Sequence, residues 1–183
     1  MARARRGNGP GKAGGARMSG DLKARRRLSG LEYFRKMMSG EVPRAPMTAL
    51  LNLRLLEADK GRVVFGAVPG QSHYNGMGVV HGGLVATLLD SALGCAINTL
   101  APPGKIFTTL EIKINYTRPL TGEVGPVRCE AHAIHVGSRV GTAEGRVVDA
   151  NGKLYAHGTT TCILVEPGKR GSRRASRSKG RAR

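Results

Sequence analysis

At 183 residues the chain has the length of one domain, and three cysteines with no close pairing, Cys95, Cys129 and Cys162, exclude a disulfide framework and fit a reducing cytoplasm. A formal net charge of +18 suggests a nucleic-acid binder until it is mapped. Residues 1–27 carry nine Lys and Arg against one acid, residues 168–183 carry eight against none, and the chain between them is nearly neutral.

Both ends are rich in Gly, Ser, Ala and Arg and poor in apolar residues, so 1–29 and 167–183 are expected to be disordered basic tails flanking one domain at 30–166. Weak polyanion binding is the one role such tails suggest. The same bias at both ends argues against a targeting segment. With 4% aromatic residues, the core has few surfaces on which bases could stack.

In chain order, residues 30–39 predict a short amphipathic helix with Leu31, Phe34 and Met38 on one side, ended by Gly40 and followed by an extended linker with Pro43 and Pro46. Residues 48–58 and 61–68 read as strands joined at Asp59-Lys60-Gly61. A Gly-rich loop at 69–78 holds His73 and Asn75. Residues 79–97 then read as one helix that is apolar nearly all round and stopped by Pro102-Pro103-Gly104.

Four strands follow: 106–118, 126–136, 139–149 and 153–165. Alternation in the first puts Leu110, Ile112, Ile114 and Tyr116 on one face and Thr109, Glu111, Lys113 and Asn115 on the other. Asn151-Gly152 marks the last hairpin. Small residues alternate in the last three strands (Ala131, Ala133, Gly141, Ala143, Gly145, Ala156, Gly158), which would let a helix nest in a curved sheet. The expected class is α+β, an antiparallel sheet wrapped around one long central helix, with a short N-terminal helix.

The central helix carries the chemistry. It opens on His81-Gly82-Gly83, where free N–H groups and the helix dipole favour negative charge. Its one carboxylate, Asp90, is expected to be buried and therefore needs a partner or a task. That carboxylate also makes the helix too interrupted to span a membrane. Cys95 on the same helix reads as a small core residue. There is no Gly-x-Ser-x-Gly elbow. No metal is expected, because His132 and His135, three apart on a strand, should point to opposite faces.

The order of elements, the spacing from Asn75 to His81-Gly82-Gly83, Asp90 nine residues after the His, Thr109 on the next strand and the segment Ile114 to Pro119 together resemble the hotdog-fold thioesterases. The resemblance covers about residues 30–166. It is nearest the phenylacetic-acid-degradation (PaaI-like) type that includes 4-hydroxybenzoyl-CoA thioesterases. It implies hydrolysis of an acyl- or aryl-CoA without a cofactor, in a homodimer or homotetramer. Asp90 is then the nucleophile or general base, and the Gly82 N–H polarises the thioester carbonyl. Asn75 holds the carbonyl or the attacking water, and His81 orients the site. Thr109 lies near the carboxylate, with Thr108 as its neighbouring alternative. Gly83, Tyr116, Ser138 and Arg139 are the expected substrate contacts, Arg139 being suited to a CoA phosphate.

His81 and Asp90 face opposite sides of the helix, about 900° and 13–14 Å apart. The resemblance therefore implies sites shared between two antiparallel helices, with Gly82, Gly83, Ala86, Ala92 and Gly94 allowing close approach. The alternative from another class is a non-catalytic acyl-CoA-binding or sensing hotdog protein; a hydratase or a nucleic-acid protein is a weaker fit.

Overall fold

The computed structural model describes residues 27–166. The basic tails expected at 1–29 and 167–183 lie outside these residues except for 27–29, where Leu28 packs against the core.

Helix α1 (Gly30–Met38) begins at a capping box. Glu32 N–H donates to Ser29 Oγ, and Ser29 N–H donates to the Glu32 carboxylate. The helix buries Tyr33 and Phe34, with Leu31 and Met37 alongside, whereas Met38 is exposed rather than on the apolar side as the sequence suggested.

The expected strand at 48–58 begins late. Pro46–Leu50 instead form a short helix α2, because Pro46 sits at its first turn, where a missing N–H costs nothing. Asn52 takes a left-handed conformation (φ 51°) and turns the chain into β1 (Arg54–Asp59). β1 and β2 (Arg62–Ala67) form the expected hairpin, with Gly61 at positive φ in its turn.

The long helix α3 spans Gly82–Thr99. Val79 and Val80, expected inside it, belong to the entry loop: Val80 bridges Tyr74 and donates its N–H to Leu120 O. Strands β3 (Ile106–Tyr116), β4 (Val127–Val136), β5 (Val140–Asp149) and β6 (Leu154–Val165) complete one sheet in the order β1-β2-β4-β5-β6-β3, with every neighbouring pair antiparallel. The sheet curls around α3 in the hotdog arrangement. Leu88, Leu89, Leu93 and Ile97 are fully enclosed in the curl, each side chain contributing about 1.5–3 kcal/mol by leaving water.

The small residues line this inner face as expected. A side chain at Gly141 would stand 2.6 Å from Ile97 Cγ2, and one at Gly145 would stand 3.1 Å from Leu93 Cδ2.

Two β-bulges change the faces that simple alternation predicts. On β3, Thr109 pairs with Cys162 and Glu111 with Thr161, leaving Leu110 as the extra residue, exposed instead of inward. Thr109 therefore shares the inner face with Ile112 and Ile114. On β4, Ile134 is the extra residue between Ala133 and His135. His132 and His135 then both face outward, opposite Glu144 and Thr142, rather than to opposite sides. Among the described residues no helix is long and apolar enough to cross a membrane.

Candidate active site

Asp90 stands midway along α3 on the one stripe of the helix that the sheet leaves uncovered. Gly83, Ala86, Thr87, Asp90 and Ser91 are half-buried or exposed there. The carboxylate is thus half-buried, not buried as expected. Two residues expected to allow close approach on this stripe are elsewhere. Ala92 is fully enclosed, and Gly94 lies under the Phe107 ring, so close that a Cβ would come within 2.1 Å of it.

Thr109 Oγ1 donates to Asp90 Oδ1 at 2.8 Å, a charge-assisted bond that fixes the carboxylate. Thr108 is exposed, so the bulge selects Thr109 for this position. Cys162 Sγ lies 3.9 Å from Thr109 Oγ1, and burial pushes its thiol pKa up, which keeps it a neutral thiol. Beside Asp90 lies a small, mainly apolar pocket of about 170 Å³ whose walls include Phe34, Leu55, Phe65 and Phe107.

The start of α3 is built from backbone. His81 caps the helix: its Nδ1 accepts the Gly83 N–H at 2.8 Å, and its carbonyl accepts the Leu84 N–H. The Gly82 N–H makes no hydrogen bond among the described residues. Tyr116 Oη donates to the Gly82 carbonyl at 3.0 Å, and its ring lies 3.2 Å from where a Gly82 Cβ would stand.

Asn75 orders the entry loop. Its Oδ1 accepts the N–H of Met77 at 2.9 Å and of Val79 at 3.4 Å, so the donors of its side-chain amide are the part left for another molecule. Asn75, His81, Gly82, Gly83 and Tyr116 line a second, wider cavity of about 550 Å³.

Asp90 and Thr109 do not line that second cavity, and none of its residues lines the pocket beside Asp90. Ser138 and Arg139 are exposed at the β4–β5 turn, where Lys105 Nζ donates to Ser138 O. They line neither cavity. The expected residues therefore fall into three groups on one chain. The Tyr116–Gly82 bond and the pocket walls from α1, β1 and β2 are not evident in the sequence. The Ser-x-x-Glu spacing at 29–32 does signal the start of α1.

Residues 77–156 match the model of the thioesterase superfamily. A protein of Archaeoglobus fulgidus named as an esterase is 30% identical over 116 residues, which make up 63% of this chain and 73% of the relative. The chain belongs to the thioesterase superfamily.

Solved structures agree with this membership. A conserved protein of Pseudomonas aeruginosa is 30% identical with a TM-score of 0.63, over 67% of this chain and 95% of that one. A variant of the phenylacetic acid degradation protein PaaI from Thermus thermophilus is 31% identical with a TM-score of 0.59, over 65% and 98%. The Halobacterium salinarum protein named as an esterase is 38% identical over 79 residues, and the match spans only half its length. Membership of the superfamily makes the chain a hydrolase of the PaaI-like, hotdog-fold type. The family match spans Asp90 and the second cavity apart from Asn75, but not α1, β1 or β2.

Proposed function

We propose that this thioesterase-superfamily member hydrolyses an acyl- or aryl-CoA thioester to the free acid and CoA, in a site shared by two copies of the chain. The observation that carries the reading is the Asp90–Thr109 pair: a carboxylate held by a hydroxyl on the uncovered stripe of α3, next to an apolar pocket.

In the general-base form, Asp90 takes a proton from a water whose oxygen attacks the thioester carbon. The carbonyl electrons move to oxygen, where the Gly82 N–H meets the developing charge. Collapse of the intermediate expels the CoA thiolate, which takes the proton from Asp90. In the nucleophilic form, Asp90 Oδ2 attacks the same carbon and expels the CoA thiolate, leaving a mixed anhydride; water then hydrolyses the anhydride to the free acid and the Asp90 carboxyl, whose proton passes to the thiolate. In either form Thr109 orients the carboxylate, and the Asn75 amide donates to the carbonyl or the water. His81 and Tyr116 hold the helix start in place, and Gly83 keeps that surface open to substrate. Ser138 and Arg139, apart from both cavities, are given no role.

Sharing follows from distance. Gly82 and Asp90 are eight residues apart, about 12 Å along the helix axis, which is too far for one chain's two groups to reach one carbonyl. Two α3 helices packed antiparallel through their uncovered stripes would bring the start of one beside the middle of the other, giving two equivalent sites.

The test is thiol release from short, medium, long and aromatic CoA esters by the wild type and by Asp90→Asn. Turnover lost in a folded Asp90→Asn protein is expected. CoA-ester binding without turnover in the wild type would replace the enzyme with a binding module.

A further inference from the structure

Resting on that reading, we infer that α1 and the β1–β2 hairpin close off the acyl side of the site, so that it takes a compact acyl group, one aromatic ring or about six carbons, and that Met37 sets this limit.

A carbonyl attacked by Asp90, or by a water on it, must lie within about 3–3.5 Å of the attacking oxygen, so the acyl group has to enter whatever space adjoins the carboxylate. On the Asp90-bearing chain that space is the pocket whose walls include Phe34, Met37, Leu53, Leu55, Phe65 and Phe107. Its volume is about 170 Å³. An apolar cavity of about 150 Å³ is known to take up benzene, so this one holds a single ring or a chain of about six carbons and no long fatty acyl group.

Eight of the pocket's twelve lining residues, Phe34, Met37, Leu53, Leu55 and Phe65 among them, lie before residue 77, outside the segment that matches the family. The limit is therefore a property of this chain's own N-terminal part. Phe34 and Leu53 are fully buried core residues whose truncation would damage the fold. Met37 is only half-buried against the core, so its size can be changed with the fold retained, and it is an unbranched, adaptable wall.

The experiment measures kcat/KM by thiol release for the full chain on acetyl-, hexanoyl-, dodecanoyl-, palmitoyl-, benzoyl- and phenylacetyl-CoA, with Met37→Ala and Met37→Phe compared. The wild type should favour hexanoyl and single-ring esters over palmitoyl by at least about tenfold, within the range that one pocket's fit discriminates. Met37→Ala should raise dodecanoyl relative to hexanoyl turnover, and Met37→Phe should lower hexanoyl while sparing acetyl turnover. Equal turnover of palmitoyl and hexanoyl esters by the wild type, or an unchanged length profile in both folded variants, overturns the inference and leaves the thioesterase reading standing. No turnover of any ester overturns both.

Discussion

The two ends of the proposed catalytic arrangement on α3 are built from different material. At the helix start the working groups are main-chain atoms. The Gly82 N–H is left open, while the Gly83 N–H is taken by His81 and the Gly82 carbonyl by Tyr116. At mid-helix they are side chains: Asp90, its Thr109 donor and a pocket of apolar walls. The first region sits in the family-matching segment, and the second draws most of its walls from outside it. The difference separates tasks. Stabilising an oxyanion needs only a rigid N–H, which any acyl group can use, whereas the space beside the carboxylate must fit one acyl group in particular. Chemistry and selectivity can then change independently along the chain.

The largest expected effect comes from removing the side-chain half. Asp90→Asn should lower kcat by about 10²–10⁴-fold, with far-UV circular dichroism and melting unchanged; a folded variant that still turns over would remove Asp90 from the mechanism. Removing the main-chain half is the counterpart. Gly82 is the first helical residue, where proline is tolerated, so Gly82→Pro deletes one N–H and should cost about 10²–10³-fold, the nearby Tyr116 ring having to yield slightly.

Mixing these two inactive variants under subunit exchange sharpens the comparison. Random pairing makes half the dimers mixed, each with one intact site, so about a quarter of wild-type activity should return if sites are shared. Mixed dimers with no recovered activity would place both halves within one chain.

Smaller effects test the supports. Thr109→Val should reduce kcat by about ten- to a hundredfold through loss of a hydrogen bond to a charged group, with Thr109→Ser restoring most of it. Equal rates for the valine and serine variants would leave the hydroxyl with no part in the reaction. Gly94→Ala should destabilise the fold by about 1–3 kcal/mol through overpacking against Phe107, read as a lower denaturation midpoint.

The smallest effect lies away from the site. Arg62, chiefly by hydrogen bonding, holds the Glu130 carboxyl below its usual range. Its folded pKa being the lower one, the pair stabilises above the unfolded value of about 4.5 and loses that contribution as pH falls through the folded value. Glu130→Gln should flatten the acid limb of stability against pH and leave thioester turnover unchanged.

Much of the fold is legible in the sequence because it is written in local periods. The turn glycines and the alternating small residues facing α3 follow from spacing alone. So does the long apolar helix with one carboxylate. What escapes is whatever depends on one extra residue or on distant segments meeting. Leu110 looks like an ordinary inward position until the register with β6 shows it to be a bulge, and the same is true of Ile134 on β4. Asn52 is of a residue type that takes the left-handed conformation readily, but it sits within a run that reads as strand, so the turn that cuts the expected strand short is missed. The family resemblance marks Thr109, but alternation alone puts it on the wrong face. The pocket walls come from α1, β1, β2, α3 and β3, a meeting that no single segment encodes.

The bulge at Leu110 locks the phase of β3. Before it, Phe107 and Thr109 face inward; after it, Ile112 and Ile114 do, and only the extra residue reconciles the two halves. Deleting Leu110 would leave Phe107, Thr109, Ile112 and Ile114 in regular alternation on the inner face, whereas pairing Leu110 into the ladder would turn one half of the strand inside out. Either Thr109 would leave Asp90, or the two isoleucines would leave the core. The face that Thr109 shares with Ile112 and Ile114 therefore depends on Leu110 staying outside the ladder.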